Sequence, residues 1–225
     1  MQIELRDSAS LKPTELDEFS QLLHTVGRRI ADEQLDEQVD QFALAVVARH
    51  DDGPLRGLML GSLERVGGTP TILWGLGAAR RGRDSGGCLR AMTAELSRRA
   101  AISFPDEDVL VGALISQPSA YVLLQRFANP VPRPEHTPNG EDRAWARRLA
   151  KRFGVEANVD DRTFRVTACG RRPRTMPVLD ATGARASGGS KVGKLVGDLD
   201  ASQGRAMIAF GWAMAESLAA GRYTD

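Results

Sequence analysis

The chain has 225 residues, with Lys+Arg 30 against Asp+Glu 29, a net charge of +1, 42% hydrophobic residues and 26% charged residues. That balance describes a packed globule and excludes a disordered or collagen-like chain, and the near-zero total supplies no overall field toward nucleic acid or anionic lipid. The length exceeds the ~100–150 residues typical of one domain, so one main core with a C-terminal elaboration is expected.

Residues 1–7 hold no basic leader followed by an apolar stretch. No later apolar run nears the ~20 residues that span a bilayer, so a cytoplasmic location without a membrane partner is expected. Cys88 and Cys169 are far apart and outside any CxxC spacing, which predicts reduced thiols with neither disulfide nor zinc. His24, His50 and His136 share no spacing that suggests a metal, so no metal site is expected.

In chain order, residues 2–5 alternate polar and apolar as a strand does. Leu16, Phe19, Leu22, Leu23, Val26 and Ile30 then recur at helical spacing. Residues 42–49 and 55–66 read as a hairpin about the turn Asp51-Asp52-Gly53-Pro54, and a turn at Gly67-Gly68 leads into a third strand over 71–79. Gly75 and Gly77 inside that strand point to a bulge or a close backbone approach. A helix carrying Leu89, Met92, Leu96 and Ala100 follows a basic loop, then a buried strand over 108–115, then a helix opened by Pro118. Residues 129–140 contain four prolines and read as a surface excursion and a boundary. Beyond it a basic helix is expected over 142–153, strands over 163–168 and 206–213, and a glycine-rich loop over 182–197.

The loop Arg80-Arg81-Gly82-Arg83-Asp84-Ser85-Gly86-Gly87 lies between a predicted strand and a predicted helix start. Free backbone N–H groups and the helix dipole favour an anion there, and clustered guanidiniums suit phosphate. With this loop in its place the chain resembles GNAT-type acetyltransferases, in which a central strand runs into a pyrophosphate loop of the form Arg/Gln-x-x-Gly-x-Gly/Ala and then a helix. Arg81 and Gly86 match the ends of that pattern, while Leu76, Gly77 and Ala78 fall where the family's strand bonds the pantetheine arm. The segment from Ser116-Gln117-Pro118 to Phe127 looks like the second cofactor segment, with Ala120 and Phe127 in the expected places. The likeness runs from about Gln2 to Phe127.

The resemblance implies a mixed α/β (α+β) fold with a mostly antiparallel central sheet flanked by helices. Its core would span 1–128, with a C-terminal extension over 129–225 whose two late strands complete the same sheet or a partner's in a homodimer. It also implies acetyl-CoA as co-substrate, held by Leu76, Gly77, Ala78, Arg81, Gly82, Arg83, Asp84, Ser85, Gly86, Gly87 and Gln117, and an amine acceptor, small molecule or peptide. Asp84 stands where the family has its inner glycine, and Leu124 where it has a tyrosine that protonates the thiolate. Tyr121, one turn earlier, is the substitute acid, and Glu64 on the preceding strand is the candidate base.

Two further motifs point elsewhere. Gly188-Gly189-Ser190-Lys191-Val192-Gly193-Lys194 matches the opening of a nucleotide loop, but Leu195 stands where Ser or Thr must reach magnesium, so an ordinary loop is expected. The basic helix carries Arg143, Arg147, Arg148, Lys151 and Arg152 against Trp145, Leu149 and Phe153, the pattern of an ordinary surface helix that docks its apolar stripe, with flanking of the acceptor site as the other expectation. Its alternative is a non-catalytic module for nucleic acid or an acidic protein, and a sensor that binds coenzyme A without transfer is the third reading.

Overall fold

Near-continuous apolar runs build the central strands, which are buried almost throughout their length, and the helices are built from apolar residues at wider spacing. A computed structural model describes residues 1–27, 30–50, 53–167, 189–199 and 205–223. Its elements are β1 (Gln2–Asp7), α1 (Pro13–Thr25), α2 (Asp32–Gln41), β2 (Leu44–Arg49), β3 (Leu55–Val66), β4 (Thr69–Ala79) and α3 (Ser85–Ser103). They continue as β5 (Val109–Ile115), α4 (Pro118–Leu124), β6 (Ala128–Val131), α5 (Gly140–Arg152), β7 (Arg165–Val166), α6 (Gly189–Val196), β8 (Ala206–Ala213) and α7 (Ala215–Ala219).

The strands form an eight-stranded sheet of order β1-β2-β3-β4-β5-β8-β6, with β7 also pairing β8. Every pairing is antiparallel except β4 with β5. The fold is therefore a mixed α/β architecture with a mostly antiparallel central sheet flanked by helices.

Small residues on the strands let helices approach either face. A Cβ at Gly57 would lie 2.8 Å from Cys88 Sγ, and one at Gly61 3.1 Å from Leu96, so α3 lies on that face. A Cβ at Gly112 would lie 2.7 Å from Leu149 of α5. Gly61 is opposite Trp74 and Gly112 is opposite Leu73. Neighbouring residues of a strand point to opposite faces, so α5 covers the face away from α3.

Several expectations give way to the structure. The helix read over 16–30 stops at Thr25, because Gly27 turns the chain at φ +85. The sequence reading has no counterpart for α2: Leu35 and Gln38 are its buried residues, and its remaining positions are largely acidic or amide. The proline-rich excursion begins inside the sheet, since Ala128–Val131 pairs with β8. The strand read over 163–168 is reduced to Arg165–Val166. Within the glycine-rich loop, Gly189–Val196 is helical; residues 182–188 and Cys169 lie outside the described residues. The late strand completes its own sheet: β8 pairs β5 from Val109↔Ala213 to Ile115↔Met207 and has β6 and β7 on its other edge. Residues beyond 128 are thus woven into the core.

Candidate functional site

Two irregularities in the sheet shape the site. The first is a bulge on β4, where Met59↔Gly77 is followed by Gly61↔Trp74, so three steps on β4 oppose two on β3. The extra residue falls at Gly75 and Leu76, which answers the glycine pattern in the sequence. The second is the short β4–β5 ladder, which runs from Thr71↔Leu110 to Trp74↔Ala113 and ends. β4 continues to Ala79 beside β3, and β5 continues to Ile115 beside β8. Past Trp74 the two parallel strands have no pairing with each other, and the backbone edge of Gly75, Leu76, Gly77, Ala78 and Ala79 faces a fork.

β4 leads out of the fork into the loop before α3. The Arg80 amide donates to the Arg56 carbonyl at 2.7 Å and anchors the loop's first residue. Ser85 closes the loop, its hydroxyl donating to the Gly82 carbonyl at 3.0 Å, which commits that side chain to the turn. Asp84 is the residue preceding α3, and its carboxylate caps no amide of the helix. Among the described residues, the N–H groups of Gly86 and Gly87 meet no acceptor. The first turn of a 19-residue helix therefore presents free donors at the positive end of its dipole.

Arginines gather around those donors. A second bulge, between Ala48↔Gly57 and Arg49↔Leu55, makes Arg56 the extra residue of β3. One of its guanidinium nitrogens lies 3.8 Å from where a Gly82 Cβ would be. Arg90, one turn into α3, folds back so that its nitrogens lie 3.7 Å and 3.8 Å from the corresponding points on Gly86 and Gly87. Arg81 and Arg83 are exposed in the loop. Among the described residues, none of Arg56, Arg81, Arg83 and Arg90 is paired with a carboxylate. Like charges collected at a positive helix end without counter-charge raise the local potential, and a bound anion lowers it. Arg56 and Arg90 are absent from the sequence reading. The i+4 spacing of Arg90 from Gly86 was visible there, whereas Arg56 depends on a bulge that only the register reveals.

The structure disperses the other expected residues. Gln117 precedes α4 in extended conformation at the β5 side of the fork, and its side chain caps no amide of that helix. Tyr121 is fully buried, and its hydroxyl donates to the Pro132 carbonyl at 2.6 Å. Its proton is committed to tying α4 to the chain after β6. Glu64 sits opposite Thr71, four residues and so about 13 Å along β4 from Gly75. There it accepts from Arg152 Nε at 2.8 Å and from the Ser62 hydroxyl at 3.2 Å. Arg152 also donates to the Gln41 carbonyl at 3.3 Å, so Glu64 is part of a clasp that joins α5, α2 and β3.

The arginines of α5 are engaged similarly, and Lys151 is exposed. Arg147 pairs with Asp161 at 3.3 Å, Arg148 covers the Trp145 ring at 4.5 Å, and Arg143 donates to the Pro138 carbonyl at 3.0 Å. Those contacts serve docking, as does the edge-on packing of Trp145 against Trp212 at 5.7 Å.

Two buried groups near the site carry a pH signature. Burial raises the Cys88 thiol from 9.0 to about 11, partly opposed by the Arg56 charge. Burial also raises the Tyr121 phenol from 10.0 to about 12. Both raised values favour the protonated form in the fold, so the associated stability is intact below pH 9 and declines as pH climbs through each folded value. The thermal midpoint is expected to fall above pH 9, and Cys88→Ala to remove the part of that slope between 9 and 11. An unchanged slope in the variant would rule this out.

No protein-family model matches the chain, and no curated protein is significantly similar to it. Among solved structures it is similar to the aminoglycoside 6'-N-acetyltransferase from Enterococcus faecium, at 20% identity and a TM-score of 0.40 over 50% of this chain. The chain spans 60% of that enzyme's length. A GNAT family acetyltransferase from Brucella melitensis in complex with acetyl-CoA is similar at 19% identity and a TM-score of 0.34, covering 49% of this chain and 75% of that one. A ribosomal-protein-alanine N-acetyltransferase from Brucella melitensis biovar Abortus 2308 is similar at 23% identity and a TM-score of 0.32, covering 45% and 75%. Each likeness is confined to about half of this chain and transfers no activity to it.

Proposed function

We propose that the chain is an acyl-CoA-dependent transferase that moves an acetyl group to an amine acceptor. One arrangement carries the reading: β4 leaves its parallel partner at Trp74 and runs along an open edge to a helix N-terminus with free amides and unpaired arginines. An extended polar arm fits the edge and a diphosphate fits the helix end. One orphaned donor belongs to the same place. The Trp74 indole N–H is buried without an acceptor among the described residues, at the point where the strands part. A buried N–H without a partner is costly, and a ligand carbonyl would satisfy it.

When bound, acetyl-CoA supplies a thioester with an electrophilic carbon and a thiolate leaving group. The chain contributes donors and position. Backbone N–H groups of Leu76, Gly77 and Ala78 that face the fork are suited to a developing oxyanion, because the bulge and the small residues bring backbone within reach. Arg56, Arg81, Arg83 and Arg90, with the amides of Gly86 and Gly87, hold the anionic end. Asp84 is exposed and uncapping, so it can turn outward. Glu64 is beyond the ~3 Å reach of direct proton transfer at the bulge. Any proton acceptance by Glu64 therefore runs through water on the α5 side.

Tyr121 we assign to tethering α4, not to protonating a thiolate. Tyr121→Phe is expected to lower stability by about 1 kcal/mol, the typical net worth of one hydrogen bond. Its turnover at saturating donor should equal that of the parent; a tenfold fall in kcat with stability unchanged would restore the acid role. For the function itself, calorimetry with acetyl-CoA should show micromolar binding, and a panel of amines should release thiol from it. Absence of heat at millimolar acetyl-CoA, with salt-sensitive RNA binding in its place, would support the nucleic-acid reading instead.

A further inference from the structure

The fork has a bottom, and the side chains there bear on which acyl group the site accepts. Phe42, between α2 and β2, is fully buried, and its ring presses on Gly75: a Cβ there would lie 2.6 Å from one ring carbon and 2.7 Å from the next. Trp74 is on the α3 face, packed edge-on against Phe127 at 5.8 Å between ring centres. Gly75 follows it inside the bulge, and Phe42 packs directly on that glycine. The last paired residues of the β4–β5 ladder, Trp74↔Ala113, close the third side. Two aromatic rings and a strand pair thus surround the end of the fork at the β4 bulge.

Resting on the acyl-CoA reading above, we infer that Phe42 sets acyl-chain length, restricting the donor to acetyl by filling the space a longer chain would occupy. Phe42 touches a glycine at the bulge, so its ring fills the space directly beside the backbone there. Truncating it opens room beside the point where an acyl group bonded to the bulge amides would end. A tight wall discriminates against one additional methylene by roughly tenfold or more, and a hexanoyl group brings four more carbons than acetyl.

The test is calorimetric and needs no acceptor. Acetyl-CoA, hexanoyl-CoA and free coenzyme A are titrated into the parent chain, Phe42→Ala and Phe42→Leu, with thermal midpoints measured alongside. The parent should bind acetyl-CoA at least tenfold more tightly than hexanoyl-CoA. Phe42→Ala should bring the two within threefold by tightening hexanoyl-CoA, and should leave free coenzyme A unchanged. Phe42→Leu, a smaller change that preserves more of the core, should move the ratio the same way and keeps the test valid if the alanine variant fails to fold. Equal affinity of the parent for both thioesters, or an unaltered ratio in a folded variant, would overturn the inference while leaving the transferase reading intact. Failure of all three ligands to bind the parent would overturn that reading and the inference with it.

Discussion

A chain ending at Ala128 is expected to remain unfolded, although it contains every segment that carries the acetyltransferase resemblance. The reason lies in β8, which occupies the inside of the sheet between β5 and the pair β6 and β7. Without it β5 exposes a whole ladder of hydrogen-bonding groups from Val109 to Ile115. The cut also removes Met207, Ile208, Phe210, Trp145 and Leu149, all buried. At about 1.5–3 kcal/mol for each large buried side chain, the loss is on the order of the whole 5–15 kcal/mol by which domains are stable. The fragment should show no cooperative urea transition and collapsed amide dispersion by NMR. Adding the piece 129–225 should restore both in part. A sharp transition in the short fragment alone would show that the N-terminal half is an autonomous domain.

That result would explain why the chain reads more easily as two parts than it folds as two. The strands Leu55–Val66 and Thr69–Ala79 were legible, the second read from 71 with 69–70 left in the turn, because each is a long run bounded by turn residues, and Pro118 marked its helix by chemistry local to one residue. What escaped is non-local. β6 comprises Ala128, Asn129, Pro130 and Val131, a segment with no strand signal of its own, and it becomes a strand because β8 arrives to pair with it. α2 escaped for the complementary reason: it buries few side chains and the rest of its surface faces water, so no apolar stripe announces it. At the site, the basic loop and the glycine pattern of β4 were visible because they depend on composition. The fork depends on where one ladder stops, and Arg56 on a bulge one strand away. Tyr121 and Glu64 were chosen for their chemistry, but a hydroxyl given to Pro132 and a carboxylate given to Arg152 show how partners decide what chemistry is left over.

The arginines at the α3 N-terminus offer the sharpest test of the diphosphate cradle. Arg56→Glu and Arg90→Glu are each expected to weaken acetyl-CoA binding by about 10- to 100-fold, the range for losing one charge-assisted contact. The double variant should fall below detection at millimolar ligand. Neither substitution breaks an ion pair among the described residues, so both proteins should keep the parent's thermal midpoint, and weakened binding at that midpoint reports the lost contact and not misfolding. The reciprocal change has the opposite sign. Asp84→Asn removes the lone carboxylate of the loop without removing a helix cap, and should tighten binding severalfold at low salt, with the gain shrinking as ionic strength shortens the Debye length to ~8 Å. Full-strength acetyl-CoA binding by the folded Arg56→Glu/Arg90→Glu protein would mean that the anion sits somewhere else, and the helix end would lose its assigned role.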